Sequence, residues 1–289
     1  MPALTLTPDT PFNLGISLSC GQVFRWEDTG GGWWRGIVGS RRIRIRQDGP
    51  VLTFKGADRE FITNYFHLDG DLPGILRSFD RDPVIHGAIE CCRGLRIVRQ
   101  PPWECLASYI CATYANIPGI KRRISLICEQ FGDRMEDREG EFFTFPAPSV
   151  IAAADVCEVR GCRLGYRSSY LLETARTVAS DPGWQDRILA LPYEEARRDL
   201  LRLRGVGEKV ADCVLLFGFG KYEAFPVDVW IQRILQRCYK NGATLRSNGQ
   251  IHRFGSDHFG KYAGYAQEYL FCNREGIMGR QVPSSQPER

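Results

Sequence analysis

The chain has 289 residues, a formal net charge of +4 and no apolar run that approaches membrane-spanning length. Its 43% hydrophobic and 25% charged residues are ordinary for a globular protein with one large domain or two to three small ones. Because the net charge is only mildly positive, charge alone does not indicate a nucleic-acid partner.

The cysteine pattern argues against a metal cofactor. Eleven cysteines occur, and residues 1–10 lack the features of a secretory signal, so we expect free thiols in a reducing interior. Cys157 and Cys162 form a lone pair without a second pair or a His cluster, which argues against zinc. Only Cys238 and Cys272 follow residue 213, so four closely spaced C-terminal cysteines for an iron–sulfur cluster are missing. We therefore expect no cofactor and no catalytic metal.

The first 95 residues have the pattern of a β-sheet domain. Short strands are predicted at residues 33–38, 41–46 and 51–55, between turns that contain Gly, Ser and Asp-Gly. Residues 12–18 also alternate in part. In the middle strand isoleucines occupy one face and arginines the other. The arginine face either follows phosphates or is a solvated sheet surface, and the second interpretation is favoured.

Helical patterns follow, and from about Pro101 they dominate. The predicted helices span residues 58–68, 72–79, 103–113, 121–131 and 150–156. Residues 139–149 contain proline and are predicted to be a connecting loop. The fold class is therefore α+β. We expect a twisted antiparallel sheet domain at 1–95, a mostly helical body in two subdomains at 96–280 and a flexible tail at 281–289.

The most informative stretch is residues 203–230. It begins with Gly205 and Gly207, one residue apart, between two helical patterns. Glycine tolerates positive φ and leaves its backbone open, so this link can be a tight hairpin with outward N–H groups. Such donors at a helix N-terminus suit an anionic oxygen. On these residues alone, an ordinary turn between two helices is the better interpretation.

Lys209 lies in the first turn of the second predicted helix, among apolar neighbours. A helix N-terminus disfavours positive charge, so both features favour the neutral, nucleophilic amine. Lys209, Cys213 and Phe217 are spaced four residues apart and share one helix face. That face can line a pocket for a flat heterocycle; a surface lysine above two core residues is the alternative of similar weight.

Asp228 follows Pro226 and precedes another helical run. The residue before a proline is pushed to extended geometry, and an aspartate at the start of a helix has N-cap chemistry. A carboxylate fixed in this way can stabilise a developing cation or help to activate a nucleophile. The alternative is a helix cap with no further role.

Helix, hairpin, helix, lysine and Pro-Val-Asp together resemble the helix-hairpin-helix DNA glycosylases with the Gly/Pro…Asp signature. The sequence GVGEKVADCVLL…AFPVDVW is similar to the corresponding sequences of the 8-oxoguanine DNA glycosylase branch. The resemblance implies that the hairpin, Gly205-Val206-Gly207, holds a DNA phosphate through its backbone N–H groups. It also implies a site for a monovalent cation on the carbonyls of Leu203 and Val206.

The activity that this resemblance implies is that of a bifunctional DNA glycosylase/AP lyase of base excision repair. Lys209 would attack C1′ of the damaged nucleoside, and Asp228 would assist the charge that develops there. β-Elimination from the Schiff base would then nick the strand. The partner would be double-stranded DNA containing 8-oxoguanine, bound by a monomer in the cytoplasm, at the nucleoid and away from membranes.

The base pocket is implied by two further motifs. Residues 19–26 resemble the family's SGQ-FRW motif, in which the glycine matching Gly21 offers its carbonyl to the N7–H of 8-oxoguanine. Guanine N7 is an acceptor, so such a carbonyl attracts the oxidised base and repels the normal one. The resemblance implies that Gln267 reads the Watson–Crick edge and that Phe271 and Cys213 sandwich the ring, with Phe217 beside them.

Contacts to the opposite strand are implied by two segments. Where the family has a run of asparagines, only Asn116 remains and Tyr114 replaces a companion. An aromatic there could stack on an unpaired base whatever its identity, so we expect a weaker preference for cytosine. Tyr166 and Arg167 resemble the family's GYR motif, in which the tyrosine wedges into the stack and the arginine approaches the orphaned base.

One departure concerns Trp230, where animal and fungal members usually carry a histidine that touches a phosphate. A tryptophan can stack or donate one hydrogen bond but carries no charge. This change, with Tyr114, suggests the prokaryotic branch. Further on, Arg237, Lys240 and Arg246 form either a phosphate-binding rim or an ordinary surface.

Two rival functions remain at this level. The same fold could act on alkylated purines or oxidised pyrimidines; Lys209 argues against the first, and the missing cluster cysteines argue against an endonuclease III-like enzyme. A non-enzymatic hairpin module that binds DNA is the second rival. This second function does not explain why the chain carries this particular set of residues: Lys209, Asp228, Gln267 and Phe271.

Overall fold

A computed structural model describes residues 1–239, 245 and 247–279. The predicted tail at 281–289 and the basic residues Lys240 and Arg246 lie outside the described residues. The architecture is α+β, as the sequence predicts, with an antiparallel sheet at the N-terminal end and a helical body after it.

The sheet has five strands. They are β1 Ala3–Thr5, β2 Trp26–Asp28, β3 Trp33–Val38, β4 Arg41–Asp48 and β5 Val51–Lys55. All pairings are antiparallel, in the order β1-β5-β4-β3-β2. The three predicted strands correspond to β3, β4 and β5. The sequence did not reveal β1 and β2, because three residues are too few for alternation to be recognised.

Strand β4 shows how alternation positions the sheet. Ile43 and Ile45 are fully buried on one face. On the other face, the guanidinium groups of Arg44 and Arg46 lie 4.7 and 5.1 Å from the ring centre of Trp33 on the neighbouring strand. These cross-strand contacts favour a sheet surface over a track for phosphates.

The partial alternation at residues 12–18 is not a strand. Helix α1 spans Leu14–Ser19, and the side chain of Asn13 caps it by accepting the Ile16 N–H at 3.0 Å. Alternation over so few residues is compatible with a short helix whose buried side chains lie on one side, and the cap decides between the two.

The predicted loop at 139–149 is also wrong in part. It contains strand β7 Gly140–Phe143, which pairs with β6 Arg134–Asp137 in a two-stranded hairpin. All of β6 is exposed, so no apolar periodicity marks the hairpin in the sequence.

A short π-helical turn lies at Arg160–Leu164 and a 3₁₀ turn at Gly260–Tyr262, and the remaining elements are α-helices. They are α2 Arg59–Tyr65, α3 Leu72–Phe79, α4 Pro83–Cys91, α5 Pro102–Ala112, α6 Ile117–Phe131, α7 Pro148–Ala153, α8 Val156–Val159, α9 Arg167–Ala179, α10 Trp184–Ala190, α11 Tyr193–Leu200, α12 Glu208–Phe219, α13 Val229–Cys238, α14 Asn248–Phe259, α15 Ala263–Cys272 and α16 Arg274–Gly279. The helix predicted at 72–79 has the same bounds as α3. The one predicted at 150–156 is two helices, because Asp155 caps α8 and interrupts the run.

Two hydrophobic clusters form the core. One lies under the sheet and includes Trp26, Phe54 and Phe66. The other runs through the helical body and also takes in α3 and α4. The division into domains at residue 95 stays a prediction.

Across the described ranges, no helix combines the length and apolar character that crossing a bilayer requires. All eleven cysteines are free thiols. Among the same residues, no group of three or more His, Cys, Asp or Glu side chains is placed to hold a metal ion.

The buried position of His67 leads us to expect that the protein loses stability in acid. Its Nδ1 lies 3.0 Å from the hydroxyl oxygens of Tyr222 and Tyr265, and burial lowers its pKa from 6.5 to about 4. Since the unfolded chain binds a proton more readily, stability should be full above pH 6.5 and fall towards pH 4. The contribution of this residue to the change in the free energy of unfolding should reach at most about 1.4 kcal/mol per pH unit.

Urea unfolding between pH 4 and 7.5 checks this. The difference in stability between wild type and His67→Gln should shrink as the pH falls. The exposed His86 provides the matched control, and His86→Gln should keep the loss of stability in acid that His67 causes. Parallel pH curves for wild type and His67→Gln would contradict the prediction.

Candidate active site

The predicted hairpin joins α11 to α12. Gly205 has a φ of +81°, in the left-handed region, and a Cβ added there would lie 2.6 Å from Cβ of Tyr170. The Thr174 hydroxyl donates to the Arg204 carbonyl at 2.7 Å. Gly207 is the N-cap residue of α12, so the first N–H groups of that helix open at the hairpin. The hairpin is thus fixed against α9.

Gly205→Ala should destabilise the fold by about 1–3 kcal/mol, because it adds both a left-handed alanine and a contact with Tyr170. Gly207→Ala is the matched control. Gly207 has a φ of −93°, and a Cβ there would meet no atom within 4 Å. Its cost should stay below about 1 kcal/mol, the value of a weaker cap. Urea unfolding of both variants measures the difference, and equal costs would contradict the assignment.

The carbonyls of Leu203 and Val206 fit the predicted monovalent cation in chemistry. The Leu203 carbonyl accepts the Val206 N–H at 3.1 Å, which closes the turn and leaves a second lone pair. Carbonyl oxygens are the hard donors that such a cation prefers. Cation binding here stays a prediction.

One face of α12 carries the predicted nucleophile and two wall residues. Lys209 is exposed, whereas Cys213 and Phe217 are buried. Burial raises the pKa of the Cys213 thiol to about 12, against the opposing effect of Lys209. At neutral pH the thiol is therefore protonated, and Cys213 acts as a wall of the pocket. Among these three residues, Lys209 alone carries an exposed amine, and its role as nucleophile stays a prediction.

Asp212, three residues after Lys209, anchors the side of α12 that faces α11. Its carboxylate accepts hydrogen bonds from the Tyr193 hydroxyl at 2.7 Å and from Arg197 Nε at 2.9 Å. Burial raises the pKa of Asp212, and the charge of Arg197 opposes that shift. These bonds lock α11 to α12 and so fix the direction in which Lys209 leaves the helix.

The N-cap role predicted for Asp228 is confirmed. Its side chain accepts the Ile231 N–H at 2.8 Å at the start of α13. Pro226, two residues earlier, contributes to the same cavity as Lys209 and Asp228. The cap holds the carboxylate at the site.

A buried glutamine fixes the loop that carries Gly21. The Gln22 side chain donates to the carbonyls of Ser17 at 2.8 Å and Arg96 at 2.9 Å, and accepts the Val98 N–H at 2.8 Å. Gly21 has a φ of +102°, and a Cβ there would lie 3.5 Å from the Phe271 ring. The loop is therefore held rigidly against the last helices.

Helix α15 brings Gln267 and Phe271 to the cavity. Gln267 is 4% exposed, and its side-chain oxygen is buried without a hydrogen-bond partner in the described chain. Arg274 packs over the Phe271 ring at 4.4 Å and donates to the Phe271 carbonyl at 2.8 Å. An orphaned amide beside a ring is suited to reading and stacking a planar ligand.

These groups meet in one cavity of approximately 50 Å³. It is lined by Gly21, Tyr109, Lys209, Cys213, Phe217, Pro226, Asp228, Gln267, Glu268 and Phe271. The structure thus brings together every residue that the sequence predicted for catalysis and base binding. A larger cavity of approximately 260 Å³, between the sheet, α6 and the β6–β7 hairpin, contains none of them.

Sequence reasoning gave no role to Tyr109 and Glu268. Tyr109 stacks on Phe217 with ring centres 5.7 Å apart, and nothing distinguishes it within a helix whose residues from Cys105 to Ala112 are all buried. Glu268 carried a usable signal: a carboxylate next to Gln267, inside a helix of aromatic and aliphatic residues.

The residues predicted to face the opposite strand divide into exposed and buried groups. Tyr114 is 97% exposed with a φ of +49°, and Tyr166 is 51% exposed. Arg167 is buried beneath Tyr166, 4.3 Å from its ring, and donates to the Thr113 carbonyl at 2.9 Å. Asn116 caps α6 through its side-chain oxygen, which accepts the Gly119 N–H at 2.9 Å. Arg167 therefore contacts Tyr166 directly and is hydrogen-bonded to the residue that precedes Tyr114.

Two charged side chains lie next to Trp230. The guanidinium carbons of Arg233 and Arg274 lie 5.7 and 5.9 Å from its ring centre. Trp230 carries no charge, but two cations on its faces supply charge at this position. The sequence did not indicate either arginine.

Comparison with known proteins agrees with this geometry. Residues 120–253 match the HhH-GPD superfamily of base excision DNA repair proteins, and residues 5–106 match the N-terminal domain of 8-oxoguanine DNA glycosylase. A probable N-glycosylase/DNA lyase of Methanothermobacter thermautotrophicus is 33% identical over 268 residues, which are 85% of this chain and 83% of that protein.

Solved structures give the same result. The apo form of the Clostridium acetobutylicum 8-oxoguanine glycosylase/lyase has a TM-score of 0.86 at 32% identity, covering 90% of this chain and 92% of the other. Its complex with double-stranded DNA containing cytosine opposite 8-oxoguanine has a TM-score of 0.86 at 31% identity, covering 92% of each chain.

The hairpin, the lysine after it and the capping aspartate define a base excision DNA repair protein of the HhH-GPD superfamily. Such a protein works on DNA as an N-glycosylase, and its relatives combine that activity with a DNA lyase. The chain belongs to the 8-oxoguanine DNA glycosylase family.

Proposed function

We propose that this DNA N-glycosylase/AP lyase excises 8-oxoguanine from double-stranded DNA. The observation that carries the proposal is the convergence of Gly21, Lys209, Asp228, Gln267 and Phe271 on one cavity. A backbone carbonyl in the Gly21 loop would favour the N7–H of the oxidised base by about 1–3 kcal/mol over the N7 lone pair of guanine. Support comes from the relatives that act on this lesion.

In the proposed reaction, Lys209 attacks C1′ and displaces the base. Asp228, held by its cap, stabilises the positive charge that develops on the sugar. The covalent lysine adduct rearranges to a Schiff base, and β-elimination breaks the 3′ C–O bond. Cys213 and Phe271 hold the flipped base between them, and Gln267 reads its edge.

Binding uses the surfaces around the cavity. The hairpin at Gly205-Val206-Gly207 would hold a backbone phosphate, with the cation at Leu203 and Val206 beside it. Tyr166 would fill the gap left by the extruded base, since Arg167 supports it from below. Trp230 would approach a phosphate together with Arg233 and Arg274. We also propose that the protein acts as a monomer in the cytoplasm, on nucleoid DNA.

Borohydride trapping tests the substrate. Duplexes with a single 8-oxoguanine, thymine glycol, alkylated purine or normal guanine are incubated with the protein and reductant. We expect a covalent adduct with 8-oxoguanine and with none of the other three bases. An adduct with another lesion alone would keep the fold and overturn the substrate. No adduct on any duplex would favour the non-enzymatic binding module.

Tyr114 should support binding in a way that tolerates any opposite base. Its exposed ring can stack on the unpaired base, so Tyr114→Ala should weaken binding of lesion duplexes by about 1–3 kcal/mol. The loss should be similar with cytosine, adenine or thymine opposite the lesion. Dissociation constants for the three duplexes measure it. Leu189, 61% exposed on α10, gives the matched control, and Leu189→Ala should change none of them.

A further inference from the structure

Glu268 is a buried carboxyl inside the active-site cavity, and the reaction described so far does not use it. The side chain is 3% exposed, and Oε1 has no hydrogen-bond partner within the described residues. It lines the same cavity as Lys209, Asp228 and Gln267. Buried carboxyls are costly unless they are paired, so an oxygen without a partner on a side chain that lines the reaction site indicates a function there.

The surroundings of Glu268 suit proton transfer. Burial raises its pKa to about 7, while the thiol of Cys20, which is hydrogen-bonded to it, acts in the opposite direction. Asp228 raises the pKa further, and Arg274 and Lys209 lower it. Within the described residues, the carboxyl also interacts electrostatically with Tyr109 of α5, Cys213 of α12 and Cys272 of α15. A group that titrates near neutral pH is matched to acid–base catalysis.

We propose that Glu268 exchanges a proton with Lys209 across the cavity and then passes that proton to the departing base. The inference rests on the proposed lysine chemistry and adds the group that supplies the free amine. A cavity of approximately 50 Å³ has room for a few bridging waters before the base enters, since one water needs roughly 10–15 Å³.

The steps balance. Glu268 carboxylate takes one proton from the Lys209 ammonium, which leaves two neutral groups. In the proposed complex the DNA covers the mouth of the cavity, and a site closed off from water favours a neutral pair over an ion pair. The lysine lone pair then forms the N–C1′ bond as the C1′–N9 bond breaks, with its electrons leaving on the purine. Protonated Glu268 gives its proton to the purine anion and becomes a carboxylate again.

The test separates base excision from strand cleavage. Single-turnover excision of 8-oxoguanine is measured from pH 5.5 to 8.5, and β-elimination is measured on a duplex that already contains an abasic site. For the wild type, excision should rise with pH through about 7 and level off above it. The glutamine in Glu268→Gln has nearly the same shape as the glutamate but cannot take up or release a proton. Its excision rate should fall about 10²-fold and keep rising beyond pH 8, because solvent must remove the proton.

The two steps should respond differently. β-Elimination on an abasic duplex still needs the free Lys209 amine but has no base to protonate. The β-elimination rate of Glu268→Gln should therefore fall too, but by a factor at least tenfold smaller than the factor by which excision falls. Glu90, exposed on α4, provides the matched control, and Glu90→Gln should behave as wild type. A merely structural role would lower both steps equally, with weaker binding of a reduced abasic duplex, and would overturn the proposal.

Two further results would also overturn it. One is excision by Glu268→Gln within threefold of wild type. The other needs no variant: a wild-type excision rate that does not change between pH 6 and 8. Wild-type protein that removes no 8-oxoguanine at any pH would instead contradict the proposed substrate, so the two failures are distinguishable.

Discussion

Lys209→Gln should leave a folded protein that binds lesion DNA and lacks both chemical steps. The side chain is exposed at the mouth of the cavity and not part of the core, so we expect the free energy of unfolding to change by less than about 0.5 kcal/mol. Without the amine no Schiff base can form. Base excision should fall by at least about 10³-fold, and borohydride should trap no adduct.

Measurement requires three readouts on one duplex: affinity, release of the base and the covalent adduct. Lys261, another exposed lysine of the body, is the matched control, and Lys261→Gln should retain all three. An adduct with Lys209→Gln would move the nucleophile to a different residue. Loss of affinity together with activity would show that the lysine acts in binding first.

Asp228→Asn should separate the charge of this residue from its role as a cap. Asparagine caps helices about as well as aspartate, so the hydrogen bond to Ile231 should persist and stability should be unchanged. The developing positive charge at C1′ loses its fixed anion. We therefore expect base excision to fall about 10²–10³-fold.

Asp228→Ala provides the comparison within the site, because it should lose the same activity and also about 1 kcal/mol of stability from the missing cap. Asp71, the N-cap of α3, is the control elsewhere. Asp71→Asn should keep both stability and activity. If Asp228→Asn excised the base at the wild-type rate, the carboxylate would be a cap and nothing more.

Much of the site was predictable because its residues are local in sequence. The hairpin glycines, the common face of Lys209, Cys213 and Phe217, and the cap at Asp228 each follow from spacing within one or two turns of helix. Gly21 and Gln267 were placed at the site only through the family resemblance. Nothing in their own patterns links residues that are 246 positions apart in the chain, as the numbering shows.

The missed features depend on tertiary contacts. The orphaned oxygen of Glu268 exists only because α15 packs into the body, and the charge beside Trp230 comes from arginines on α13 and α16. The approach of Arg167 to the orphaned base stays a prediction, and the sequence did not reveal the hydrogen bond to Thr113 that holds this side chain within the protein. The β6–β7 hairpin has no buried periodicity, so only its pairing defines it.

The size of the cavity has a consequence for how the protein searches DNA. At approximately 50 Å³ it is far below the roughly 300 Å³ or more of a pocket that holds a small molecule. A flipped base must therefore displace side chains, such as the half-buried Phe271, before it is enclosed. The apparent affinity for any base is reduced by the fraction of molecules that are open. If the Gly21 loop makes the proposed contact with N7–H, a normal guanine meets this cost without that compensating contact. We then expect most encounters to end in rapid dissociation, so that the residence time on DNA measures recognition.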